Sequence, residues 1–157
     1  MNTLMEQQSG LLHDMFRLRN EMMATLSDAD LAYKLPGNPT FGELCKSMGE
    51  VEQSHIDSFK TFKLDFSYRN PEPGLATSVA KLNAWFKKLD DELVATLNAL
   101  SEADVQTKLV DRGGWTMPVV AQFHTYREAL LIFYGKADVY LKALDKPLTQ
   151  QWKDWIG

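Results

Sequence analysis

Hydrophobic positions recur along most of this chain at steps of three and four, the spacing that stacks side chains on one face of an α-helix. In a first segment, residues 3–26, Leu4, Leu11, Met15, Leu18, Met22 and Leu26 form such a stripe, with His13 and Asp14 on the opposite side. A second segment, 41–63, carries Phe41, Leu44, Cys45, Met48, Val51, His55, Ile56, Phe59 and Phe62. The third, 75–100, has the cleanest stripe: Leu75, Val79, Leu82, Phe86, Leu89, Leu93, Leu97 and Leu100. The fourth, 118–144, presents Val119, Phe123, Tyr126, Leu130, Phe133, Tyr134, Ala137, Leu141 and Leu144. No segment alternates for long with period two, and Lys108-Leu109-Val110-Asp111 is too short to make a sheet. Four helices with one wide apolar stripe each predict an all-α fold, an antiparallel four-helix bundle, formed by residues 1–157 as a single domain.

The connections add an internal repeat. Asn70-Pro71-Glu72-Pro73-Gly74 punctuates a long link between the second and third segments. After the first segment the chain reads Leu26-Ser27-Asp28-Ala29-Asp30-Leu31, a turn, then Thr40-Phe41-Gly42; after the third it reads Leu100-Ser101-Glu102-Ala103-Asp104-Val105, a turn, then Thr116-Met117-Pro118. Thr40 and Thr116 are each suited to cap the helix that follows, and Glu43 completes a capping box with Thr40. Two helix pairs related by duplication account for this better than chance. Asp111-Arg112-Gly113-Gly114-Trp115 lacks the lysine of a phosphate loop and reads as the turn before the fourth helix.

Composition narrows the partners. A net charge of −4, with both signs spread along the chain, leaves no basic face for a nucleic acid. No apolar run of about 18 residues exists to span a membrane, and the first residues carry no secretory pattern, so a cytoplasmic location is expected. The single cysteine, Cys45, cannot form an intramolecular disulfide and lies on an apolar stripe, where it reads as a small buried hydrophobe.

Few side chains stand out for chemistry. His55 lies on the apolar stripe of the second segment, either as a core histidine bonded to a neighbour or as a general base or lone ligand. His124 and Glu128 share metal-ligand spacing but point away from the stripe centre. Arg127 flanks the stripe, placed to pair with a carboxylate, grip an anionic ligand or snorkel. Glu50 and Glu52 fall on different faces, Glu50 solvated and Glu52 at a boundary. Tyr126, Phe133, Tyr134, Phe59 and Phe62 are expected to meet in the core, or to wall a pocket for a small apolar ligand. Trp152, Trp155 and Ile156, near the C-terminal end, are expected to dock on the bundle or across a dimer interface.

Two stretches resemble the DinB/YfiT-like superfamily of four-helix bundles. Thr40-Phe41-Gly42-Glu43-Leu44, with Glu50-Val51-Glu52, is similar to that family's TxGELxxHxxEVE start of its second helix. Gly135-Lys136-Ala137-Asp138-Val139-Tyr140-Leu141-Lys142-Ala143-Leu144, followed by Pro147, is similar to the GQxxxYLRxLGxP run that follows the histidine pair in its fourth helix. With the repeat, the resemblance spans residues 4–148. It implies a centre in which one histidine of the second helix and two of the fourth hold Ni²⁺ or Zn²⁺, in members that include mycothiol- and bacillithiol-dependent transferases and isomerases. Here the three ligand positions fall on Ser47, Ala129 and Phe133, which offer no imidazole. The inherited metal site is therefore expected to be lost and repacked, leaving no metal cofactor. Three functions follow as alternatives. The first, which a packed interior at those positions would favour, is a homodimeric binding or stress-associated protein, with a small-molecule ligand as a candidate partner. The second is a transferase or hydrolase-like enzyme using His55, Ser47 and Arg127. The third is an enzyme holding a divalent Ni or Zn through His55 and carboxylates.

Overall fold

A computed structural model describes all residues from Met1 to Gly157. The chain is mostly helical and belongs to the all-α class. Four long helices carry the mass: α1 (Thr3–Ala24), α3 (Phe41–Thr61), α4 (Val79–Ala99) and α6 (Val119–Ala143). Three short ones complete the set: α2 (Asp28–Leu31), α5 (Glu102–Thr107) and α7 (Gln150–Trp155). No helix is long and apolar enough to cross a membrane.

The predicted stripes lie on the buried faces, except that in α1 it is Leu12 that is wholly buried, and Leu11 of the predicted stripe is only half-buried. One contiguous hydrophobic cluster collects Leu12, Met15 and Leu18 from α1, Met48, Ile56 and Phe59 from α3, Leu82, Phe86 and Leu89 from α4, and Phe123, Tyr126 and Leu130 from α6. Phe133 and Phe62 reach only its edge, half-buried. The starts of the helices follow from local chemistry. Asn2 caps α1 by accepting from the Met5 amide and donates to the Leu97 and Leu100 carbonyls, so the beginning of α1 is stitched to the end of α4. Ser27 with Asp30, Thr40 with Glu43, and Ser101 with Asp104 each form a complete capping box. The boxes at Ser27 and Ser101 occupy equivalent places in the two halves, as the repeat predicts.

Cross-helix contacts fix the directions. Asn2 meets Leu97 and Arg19 meets Asp90, so α1 and α4 run opposite ways. Ser58 meets Gln122, Glu52 meets Tyr126 and Phe41 stacks on Tyr140, so α3 and α6 also oppose each other. Gly49 lies against Trp85 and Lys60 against Glu92, so α3 and α4 run the same way. By the same logic α1 and α6, joined by the Tyr134 hydroxyl donating to the Met15 carbonyl, run the same way, so the expectation of antiparallel neighbours throughout fails for two pairs, α3–α4 and α1–α6. The chain must return along the length of α3, about 30 Å for a helix of this size, before α4 begins, and the Pro- and Gly-bearing link performs that return. Its end passes over α3 as a 3₁₀ turn, Leu75–Thr77, that was expected to be the first turn of the third helix. The turn comes so close that a Cβ on Gly42 would lie 1.7 Å from the Ala76 carbonyl oxygen. Only glycine fits there, which gives the glycine of the TxGEL-like stretch its physical reason.

Two further expectations need correction. Residues Leu109–Asp111 do pair, as strand β1, with β2 (Thr116–Pro118) in an antiparallel hairpin with Val110 opposite Met117. Gly113 and Gly114, at φ 78° and 112°, turn its tip. Thr116 is therefore a strand residue, and α6 starts after Pro118 without a side-chain cap. The hairpin is stabilised from outside itself. Leu64 donates to the Asp111 carbonyl (2.8 Å), and Asp111 donates to the Phe62 carbonyl (2.9 Å). Phe62, which ends α3, adopts a left-handed φ of 56° that a bulky residue seldom takes, and these bonds hold it there. At the other end, Trp152 is buried, with its ring tilted against Tyr134 and its indole N–H donating to Asp138 at 2.9 Å. The tail thus docks on its own chain through Trp152, while Trp155 stays exposed.

Candidate functional site

Ser47, Glu50, Val51 and Ser54 occur at steps of three and four, so α3 presents them as one ridge. Ala129, Ile132 and Phe133 do the same on α6. Where the two ridges face each other they enclose a cleft of about 400 Å³, roofed by Phe66 and Arg69 of the returning link. Its volume lies within the range of small-ligand sites. Ser47, Ala129 and Phe133, read from two motifs more than 80 residues apart, all line this one cleft.

The roof is tied down by Glu50. Its Oε1 accepts the Asn70 amide at 3.0 Å, and Lys46 and Arg69 stand 3.7 and 4.0 Å from its carboxylate. Arg69 also donates to the Phe66 and Tyr68 carbonyls. Glu50 is buried, not solvated as its helix position implied, because the link folds back over it. The Ser54 hydroxyl donates to the Glu50 carbonyl, which leaves Ser47 as the lining hydroxyl with no side-chain bond of its own. The interior is otherwise apolar.

These residues do not fit a transition metal. Ser47, Ala129 and Phe133 offer one hydroxyl, one methyl group and one phenyl ring, with no imidazole, thiolate or carboxylate among them to ligate such an ion. Nowhere in the structure do three or more His, Cys, Asp or Glu side chains converge as a metal-holding group.

Of the three candidate catalytic residues only Ser47 reaches the cleft. His55 is buried behind its roof, packed against Phe66 and Tyr126 at ring distances of 5.6 and 5.4 Å. Its Nδ1 lies 2.9 Å from the Val51 carbonyl, so Nδ1 carries the proton. Burial pushes its pKa down to about 4; the Val51 bond opposes this and Arg112 adds to it. The imidazole is neutral at physiological pH but too weak a base to match a proton transfer there. Arg127 lies elsewhere on α6, donating to His124 Nδ1 at 3.2 Å, with its own Nε–H lacking an acceptor. Glu128 is exposed. Cys45 is buried, and its thiol is pushed up to about 12 by desolvation that Arg19 only partly offsets, so it is inert.

The most polar interior feature was not anticipated. Arg19, fully buried, donates to Glu52 at 2.6 Å and to Asp90. Tyr126 donates to Glu52 at 3.1 Å, and the Arg19 guanidinium lies 4.4 Å from the Phe86 ring centroid. Burial works against the Arg19 charge, but Glu52, Tyr134 and Asp90 together hold its pKa well above the ordinary value. Asp90 is raised to about 7, by desolvation first and by Glu52 second, with Arg19 opposing. Glu52 is thus a core residue and not a boundary one. Each of the three charges interrupts an apolar stripe at a core position, and that interruption was the available signal. A second network joins Ser58, Gln122, Arg112 and Thr125.

No protein-family model matches the chain, and no curated protein matches its sequence.

Proposed function

We propose that this protein is a four-helix bundle of DinB/YfiT-like type in which the α3–α6 cleft, at the positions of the family's metal ligands, binds a small organic molecule without a transition metal. What carries the reading is the meeting of Ser47, Ala129 and Phe133 in one cleft. Positions picked at random on a 21-residue and a 25-residue helix would seldom fall together at one cavity, even between packed neighbours. The up-down-down-up course of the long helices and the tight approach at Gly42 agree with it. The lining suits a largely apolar molecule with one polar group directed at Ser47 or Arg69. A hydrolase or transferase working through His55 has less support, since that ring is neutral, weakly basic and absent from the lining.

The test is to restore the ligands. Ser47→His, Ala129→His and Phe133→His, made together, should give a variant that binds Zn²⁺ or Ni²⁺ stoichiometrically by elemental analysis and calorimetry, while the parent retains none. A folded triple variant without affinity above the parent's would remove the assignment. A tightly held stoichiometric metal in the parent would overturn it from the other side. Filling the cleft by Ala129→Trp should abolish any thermal-shift response the parent shows to small apolar compounds.

A further inference from the structure

The largest cavity lies on another side of the molecule, between α1 and α4. It is an open cleft of about 890 Å³ with apolar walls from Phe16, Ala24, Val94 and Ala95. Asp90 lies in its lining and is the one member of the buried triad that reaches it. Arg19 and Glu52 are wholly buried behind Asp90, whose side chain is 13% exposed. The triad sets one guanidinium against two carboxylates and so lacks one positive charge. Buried charge left uncompensated is costly, and a proton or a cation must make up the difference.

The cations around the cleft are already engaged. Arg17 pairs with Asp14 at 2.8 Å, and Lys87 pairs with Asp91 at 2.6 Å. Glu21, also in the lining, accepts only from the Thr149 hydroxyl, at 3.1 Å. His13 lies edge-on to Phe16, with centroids 6.1 Å apart, and has no polar partner. From α3 and α6 the groups facing Asp90 are Glu52, Tyr126 and Tyr134, none of them cationic. The cleft thus combines apolar walls, an aromatic ring and a carboxylate at its base that lacks a full counter-charge.

We propose that the α1–α4 cleft binds a small organic amine, its ammonium group seated on the Asp90 carboxylate as the missing cation of the Arg19–Glu52–Asp90 triad and its apolar body lying on Phe16 and Val94. An inorganic cation would leave those walls unused. A neutral compound of the same shape would leave the triad short of charge. The amine competes with the proton that Asp90 otherwise carries, so binding tightens as pH rises through the range where Asp90 ionises.

The test is an NMR titration of the full chain with benzylammonium chloride, and with benzyl alcohol as the neutral isostere, at fixed ionic strength. Benzylammonium should shift the Phe16, Ala24 and Val94 resonances saturably and benzyl alcohol should not. Its affinity should fall about tenfold or more in Asp90→Asn and should weaken from about pH 8 to about pH 6. Val94→Trp, which fills the cleft and leaves every charge in place, should abolish the shifts and keeps the test decisive if Asp90→Asn does not fold. Equal binding of the alcohol, unchanged affinity in Asp90→Asn, or an absence of saturable shifts in the parent would each overturn the assignment.

Discussion

Asp90 and His55 titrate in opposite senses, and this gives the stability of the protein an unusual pH profile. His55 has its pKa lowered from 6.5 to about 4 on folding. Between those values the unfolded chain binds a proton that the folded chain refuses, so stability rises with pH. Asp90 has its pKa raised from 3.8 to about 7. Across that window the folded chain holds a proton that the unfolded chain has released, so stability falls as pH rises. From about pH 4 to 6.5 the two trends offset each other. We expect the urea midpoint of the parent to vary little there. Asp90→Asn should show stability rising with pH, and His55→Gln should show it falling; equal slopes in the two variants would disprove the pairing. The sequence exposed only half of this couple. His55 drew notice because histidine titrates near neutrality. Arg19, Glu52 and Asp90 escaped because a hydrophobic stripe is read from its apolar members, and charges at core spacing pass for flanking residues. Arg19 stands four residues after Met15, Glu52 four after Met48 and Asp90 four after Phe86, so the spacing was there to be seen.

At the level of elements, caps and close contacts were legible in different degrees. The capping box at Thr40 could be written down from residue identity, because its partners lie within one turn. Thr116 met the same local criterion, yet it pairs in a strand. Its fate depends on Leu109–Asp111 and, through them, on the end of α3, contacts that no local pattern encodes. Gly42 is intermediate: its motif flagged it, but its reason, the Ala76 carbonyl, lies far along the chain. Thr40→Ala should cost about 1 kcal/mol in a denaturant melt, the ordinary loss of a helix cap. Gly42→Ala, two residues away, should cost about 3 kcal/mol or more, because backbone must move to admit the methyl group. A Gly42→Ala variant no less stable than Thr40→Ala would show that the 3₁₀ turn yields freely. The candidate cleft divides along the same line. Its α3 and α6 ridges were legible as motif positions, whereas its roof, Phe66 and Arg69, belongs to a link whose path no periodicity reveals.

Across the whole molecule, the parallel α3–α4 pair requires a long return, and a return of that length is ordinarily the first part of a fold to open. Here it is fastened at several points, among them, first, the Asn70 amide on Glu50 and, second, the exchange between Leu64, Asp111 and Phe62. The second fastening joins the start of the return to the hairpin that precedes α6, so the two halves of the repeat share a small patch of backbone bonding. That patch works as a clasp. When deuterium replaces amide hydrogen, Leu64 and Asp111 should trade theirs on the clock of the slowest helical amides, although both lie in segments that look like surface connections. Rapid exchange at either would mean that the halves part there long before the core gives way.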